Sequence, residues 1–296
     1  MKTQTIAFPP VRTSVADYVA LAKPRLNVLV IATAGAGYYM GVGEAVDPGT
    51  FLHTVSGTAL VAGGAAALNQ VAERDVDGRM QRTRLRPMPD GRLQPGGARR
   101  FGLGLSVLGL LQLGFGANLL AAAVALATLV SYVSIYTPLK RRTSAATVIG
   151  AVPGALPPVV GWAAARGALT IEAVALFAIV FLWQIPHFLA IAWMYRDDFE
   201  RAGFRFVPVI DPDGRRTARQ ILWFASALLP VSLVPAVVGL TGGAYVMGAG
   251  LLGVGFVVLA LRFAVSRTSK RARSLFLGSL VYLPLLWALM IADRAL

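Results

Sequence analysis

Residues 51–77 read FLHTVSGTALVAGGAAALNQVAERDVD. From Phe51 to Ala72 there is no Asp, Glu, Lys or Arg, and a helix needs about 20 such residues to cross a hydrocarbon core of about 30 Å. The run then passes without a Gly or Pro break into Asn69, Glu73 and Asp77. At about 100° per residue, Glu73 and Asp77 fall roughly 40° and 80° from Asn69, whereas Asp75 falls about 240° round. A membrane helix that ends in an amide and two carboxylates on one face sets both the expected fold and the expected site.

Comparable apolar runs recur along all 296 residues, of which 56% are apolar and 14% charged; the mean hydropathy is +0.65. That balance excludes an ordinary soluble globule. Nine spans are predicted, near 26–43, 51–73, 101–116, 118–136, 147–164, 172–194, 221–240, 244–264 and 273–292, giving an all-α, polytopic membrane bundle. A single membrane domain accounts for 1–296. The first 25 residues lack the apolar core of a secretory signal, so 1–25 is read as a cytoplasmic segment and the first span as retained.

Charge gives an independent count. Alternate connections carry 26 of the 28 Lys and Arg, leaving only Arg166 and Arg294 on the other side. Positive-inside topology then puts the N-terminus in the cytoplasm. The same distribution argues against nucleic acid as a partner, because the basic residues interrupt apolar spans and form no soluble surface. With no cysteine, disulfides and thiolate metal ligands do not arise. Ten of the 14 acids share the basic side, mostly in two clusters, which the charge rule does not require.

The first cluster is Asn69, Glu73 and Asp77. Hard oxygen ligands at successive turns suit Mg2+ that carries substrate phosphates, and Arg79, Arg82, Arg84, Arg86 and Arg92 follow with guanidinium forks for phosphate or carboxylate. The bland alternative is a solvated helix end whose acids pair with nearby arginines. The second cluster closes the sixth span: Gln184, His187, Tyr195, Arg196, Asp197 and Asp198. His187 and Asp198 lie about three turns apart near one face, although a structural histidine is an equally good reading of His187. Two acid-bearing ends four spans apart suggest an internal duplication with its site between the repeats. For Lys140, Arg141 and Arg142, membrane-edge anchoring competes with diphosphate contact. Active-site loops are expected over 74–100 and 195–219. Pro153, Pro157 and Pro158 imply a kinked or broken fifth span, while Gly37, Gly41, Gly150 and Gly154 read as close packing positions.

The spacing Asn69, Glu73, Asp77 resembles the first motif of the UbiA superfamily of intramembrane prenyltransferases. Within it, Met80-x-Arg82-Thr83-x-x-Arg86-Pro87, Tyr136-Thr137-x-Leu139-Lys140-Arg141-Arg142-Thr143, Gly150 to Pro158, and Trp183-Gln184-x-Pro186-His187-Phe188 through Asp198 are similar to the haem-farnesylating protoheme IX farnesyltransferase branch. Ala202 stands where the superfamily's second acid pair would place its last carboxylate. The resemblance implies farnesyl diphosphate and haem B as substrates, haem O as product and Mg2+ as cofactor. It implies Asn69, Glu73, Asp77 and Asp198 as catalytic and metal-holding through diphosphate. Arg82, Arg86, Lys140, Arg141, Gln184, His187, Tyr195 and Arg196 become the expected substrate-binding residues. It further implies an inner-membrane location with the site facing the cytoplasm, haem propionates at basic loops, and haem-copper oxidase assembly proteins as partners. A related enzyme acting on a quinone precursor or another tetrapyrrole, and more remotely a secondary transporter, are the alternatives.

Overall fold

A computed structural model describes residues 14–43 and 45–295, so the expected N-terminal segment lies outside the described residues over 1–13. Helices α1 (Val15–Ala22), α2 (Pro24–Gly41), α3 (Pro48–Asp77) and α4 (Pro95–Gly116) come first. Next, α5 (Leu119–Val130) runs through a π-helical turn, Ser131–Tyr136, into the short α6 (Thr137–Leu139). The chain continues through α7 (Ala146–Ala155), α8 (Pro157–Arg166), α9 (Ile171–Met194), α10 (Arg196–Arg201), α11 (Arg215–Val231), α12 (Val234–Val237), α13 (Gly243–Ser266) and α14 (Ser269–Ala292). Among the described residues there is no strand, only one isolated bridge between Thr241 and Arg294.

By length and composition seven helical segments can cross a membrane, and an eighth if α1 and α2, bent by 45°, form one span. The element order agrees with nine spans, the ninth being α4. Its glycines and the arginines at 99 and 100 lower its hydropathy, although it packs along the length of α3. Several helices begin before the expected boundary: α4 at Pro95, α11 at Arg215 and α14 at Ser269. Their first two turns carry arginine or lysine, which form helix readily but are excluded from hydrocarbon. Hydropathy therefore marked the membrane edge rather than the helix end. Helix α1, not expected within 1–25, is set by a capping box in which Ser14 and Asp17 each accept the other's backbone N–H.

The fifth span is broken, as its prolines imply. Pro157 at the start of α8 has no N–H to continue α7, and Leu156 caps both pieces. Helix α8 lies directly on α2, where a Cβ at Gly37 would collide with the Pro158 carbonyl and one at Gly161 with the Ala34 carbonyl. Neighbour relations repeat: α3 packs on α4 and α4 on α5, as α9 packs on α11 and α11 on α13. Exposed side chains such as Leu103, Val107, Leu251 and Val254 form the outer apolar belt.

The length of α3 positions the site. Its 30 residues rise about 45 Å, well beyond a 30 Å hydrocarbon core. Asp47 fixes the far end by accepting from the Gly49 and Thr50 amides at 3.2 and 3.0 Å. The last three turns, with Asn69, Glu73 and Asp77, therefore stand at the opposite edge.

Replacing Gly161 with leucine should push α8 off α2. The overpacking cost of about 1–3 kcal/mol would appear as a lower unfolding temperature in detergent, and an unchanged transition would refute the close crossing.

Candidate active site

Asn69, Glu73 and Asp77 are buried on one face of α3, whereas Asp75 is exposed and paired with Arg74. Asn69 Nδ2 donates to Glu73 Oε2 at 2.9 Å. The Asn69 carbonyl oxygen accepts from Thr137 Oγ1 at 2.8 Å and from Lys140 Nζ at 3.1 Å. Lys140 Nζ also donates to Glu73 Oε1 at 2.9 Å, and both partners are buried. The π-helical turn matters here: it ends beside α6 and brings Tyr136 under the ammonium, 4.5 Å from ring centroid to Nζ, with Tyr132 at 5.8 Å. Lys140 thus has a carboxylate on one side and aromatic faces on the other, a setting that keeps a desolvated ammonium charged.

Asp77 meets a second cation. Arg86 reaches back from the following loop and donates through one nitrogen to both Asp77 oxygens, at 2.8 and 2.7 Å. Thr83 Oγ1 donates to the Asp77 carbonyl at 2.7 Å. The same loop is held from the other side by Asp198 on α10, whose carboxylate accepts from the Gln81 amide at 3.2 Å, the Arg82 amide at 3.4 Å and the Arg201 guanidinium. The two acid-bearing helix ends therefore meet directly through residues 78–86. Arg82 lies over the Tyr195 and Phe199 rings at 5.7 and 5.8 Å. Burial raises the Asp198 pKa, but the amide and guanidinium donors outweigh it and leave the carboxyl below its ordinary value.

The remaining expected residues are more dispersed. Arg141 is exposed. Arg196 stacks over Trp193 at 5.0 Å and lies 3.7 Å from Asp197. Gln184 donates to the Ala151 carbonyl at 2.7 Å, close to the break in the fifth span. His187 pairs with Ser279 of α14 at 2.7 Å, not with the acids. Helical spacing had aligned Gln184 and His187 with Asp198, but Tyr195 has left helical geometry between α9 and α10, so that alignment does not carry across.

Sequence reasoning gave no site role to Lys23, nor to Thr83 and Thr137, although both threonines stand in the motifs quoted above. Lys23 stands at the α1–α2 elbow with φ 48°, and its charge interacts with Arg86, Asp77, Lys140 and Glu73. A lysine directly before Pro24 was the available signal. A non-glycine residue held in the left-handed region usually marks a site that the surroundings enforce.

No three His, Asp or Glu side chains among the described residues form a ready-made metal cage. The donor set instead presents carboxylate and amide oxygen from Asn69, Glu73 and Asp77 at the head of a basic loop. That set fits magnesium, which keeps waters and takes one or two carboxylates together with substrate phosphate.

The chain resembles known proteins in both sequence and fold. Residues 28–289 match the UbiA prenyltransferase family. A protein from Solibacter usitatus (strain Ellin6076) named protoheme IX farnesyltransferase is 50% identical, over 94% of this chain and 98% of its own. A UbiA homologue from Aeropyrum pernix K1 shares the fold with a TM-score of 0.73 at 17% identity, over 91% of this chain and 98% of its own. Another from Archaeoglobus fulgidus, bound to GPP and Mg2+, gives 0.67 at 13% identity, over 93% and 99%.

Folding lowers the Asp198 pKa, so its contribution is complete above the ordinary carboxyl value of about 4 and is lost as pH falls through the lower folded value. Amide protection at Gln81 and Arg82 is expected to stay constant from about pH 5 to 8. At pH 7, Asp198→Ala should speed exchange at these amides about tenfold or more, as expected for loss of a charge-assisted hydrogen bond. Equal exchange in the variant would refute the anchor.

Proposed function

The chain belongs to the UbiA prenyltransferase family, and from that membership and the site's geometry we propose that it transfers the farnesyl group of farnesyl diphosphate to a vinyl group of haem B, giving haem O. The observation that carries this reading is 50% identity over 94% of the chain to a protein named protoheme IX farnesyltransferase. The buried Asn69, Glu73, Asp77, Lys140 and Arg86 cluster supports it, because it supplies both oxygen ligands and cations at one helix end.

In the proposed reaction the C1–O bond of farnesyl diphosphate breaks and its electron pair leaves with diphosphate. The vinyl π electrons form the new bond to C1. Water then adds at the other vinyl carbon and releases a proton, so that haem B, farnesyl diphosphate and water give haem O, diphosphate and a proton. Asn69, Glu73 and Asp77 would hold magnesium, which would neutralise charge on the departing diphosphate.

The protein's own cations complete that neutralisation. Lys140 and Arg86 are already desolvated against Glu73 and Asp77, so an arriving diphosphate meets donors that need little reorganisation. Arg82 is held over Tyr195 and Phe199 and faces the same anion. Asp198, expected from the sequence to hold metal, is assigned here to positioning, because its oxygens already anchor the loop bearing Arg82 and Arg86. Gln184 and His187 line the interior below, where an allylic cation must be kept from water. Arg141, Tyr195 and Arg196 border the entrance.

The distribution of 26 of 28 Lys and Arg to one side supports a site facing the cytoplasm from the inner membrane. Haem-copper oxidase assembly proteins are the partners this product suits.

Haem extracted from cells that express the chain is expected to contain haem O. Glu73→Ala and Asp77→Ala should each lower its formation at least a hundredfold, as for loss of a group that stabilises transition-state charge. Full turnover in folded variants would contradict the assigned roles, and a prenylated quinone precursor in place of haem O would contradict the substrate.

A further inference from the structure

Helix α9 has no exposed side chain between Ala175 and Met194, so that stretch does not face lipid. Phe177, Phe181, Gln184, His187, Phe188 and Ile191 are nevertheless only half-buried. They fall on one side of the helix, a stripe made mainly of aromatic rings with one imidazole among them.

The hydrogen bonds around that imidazole fix its tautomer. Ser279 Oγ donates its single proton to the Phe276 carbonyl at 2.6 Å, so at 2.7 Å from His187 Nδ1 the hydroxyl oxygen acts as acceptor. Nδ1 therefore carries the ring proton and Nε2 keeps its lone pair. Nε2 has no hydrogen-bond partner among the described residues, and it is absent from their fully enclosed, unpartnered polar atoms. Its lone pair is thus free to bind. The ring plane is set by Trp183, stacked at 5.0 Å, and by Phe276 at 5.0 Å. Trp183 is fixed in turn by its own donation to the Ser279 carbonyl at 2.8 Å.

A neutral imidazole that donates from Nδ1 to a fixed oxygen, leaves Nε2 unpartnered and is held between aromatic rings has the form of a metal-ligating histidine with its supporting shell. The described residues around it include no carboxylate partner for a proton-transfer role. We propose that His187 Nε2 is the axial ligand by which the protein grips the iron of its haem substrate. The proposal rests on the reading of haem B as substrate. His187 lies seven residues before the end of α9, about 10 Å below the cytoplasmic mouth. A porphyrin centred there keeps its rim, and so its vinyl groups, near the place where diphosphate departs. The other histidine, His53, packs against Gly116 at the opposite end of α3 and is too far from the acids to serve.

The test is optical. Purified protein in lipid nanodiscs is titrated with haem B and, separately, with metal-free protoporphyrin IX, following the Soret band. The wild type should shift the haem spectrum to that of a histidine-bound iron and bind haem at least tenfold more tightly than the metal-free ring. His187→Gly should lose both the shift and the preference, and added imidazole should restore the shift, which a misfolded variant would not allow. Ser279→Ala, which removes only the support, should weaken haem binding about 10- to 100-fold. An unchanged spectrum and affinity in His187→Gly overturns the proposal, and haem O formation by the wild type in the same preparation then leaves the farnesyl-transfer reading intact. A wild type that makes no haem O overturns that reading and this proposal with it.

Discussion

Glu73 and Asp77 are carboxylates buried at the edge of a membrane bundle, and each is met by a cation from a different segment. A buried charge without a partner is costly enough that removing one member of such a pair costs about 3–5 kcal/mol. The surrounding structure follows from that requirement. Lys140 meets Glu73 just past the π-helical turn that closes the fourth span, and Arg86 reaches Asp77 because the loop after α3 folds back. That loop keeps its course because Asp198 anchors its amides. The acids thus tie α3, α6, α10 and the intervening loop into one unit without forming a closed metal cage.

Neutralised charge pairs also make the site exchangeable. In the proposed reaction a magnesium diphosphate complex would present both a cation for the carboxylates and an anion for Lys140 and Arg86, and so would replace each internal partner with one of like charge. Each charge keeps a counter-charge throughout, which limits the desolvation that binding must overcome. Away from this mouth the side chains change abruptly to half-buried aromatic rings along α9. Separating charged from aromatic surroundings suits a reaction that must expel diphosphate and still keep water from an allylic cation until carbon–carbon bonding is complete.

Much of this was readable in the chain itself. The Asn69, Glu73, Asp77 face and the outward turn of Asp75 follow from helical angle alone, and the break in the fifth span follows from Pro157 and Pro158. Apolar runs and charge alternation together give the order of nine spans, including α4, whose glycines and arginines lower its mean hydropathy. What sequence could not supply was contact between distant segments. Asp198 reads as one more oxygen ligand until its neighbours, the Gln81 and Arg82 amides, are known. Gln184 and His187 read as part of the acid face because helical extrapolation ignores the irregular Tyr195 between α9 and α10. Lys23 looked like one positive charge among several in a terminal segment, and only the α1–α2 elbow brings it near the acids.

Calorimetric titration of inorganic diphosphate into the purified protein, with and without Mg2+, tests the exchange of internal ion pairs for a metal-bound anion most directly. Binding that requires Mg2+ and disappears in a folded Glu73→Gln, Asp77→Asn double variant is the predicted result. Diphosphate that binds equally well without the metal, or to the double variant, would show that the cations suffice and that the two carboxylates serve only to hold the fold.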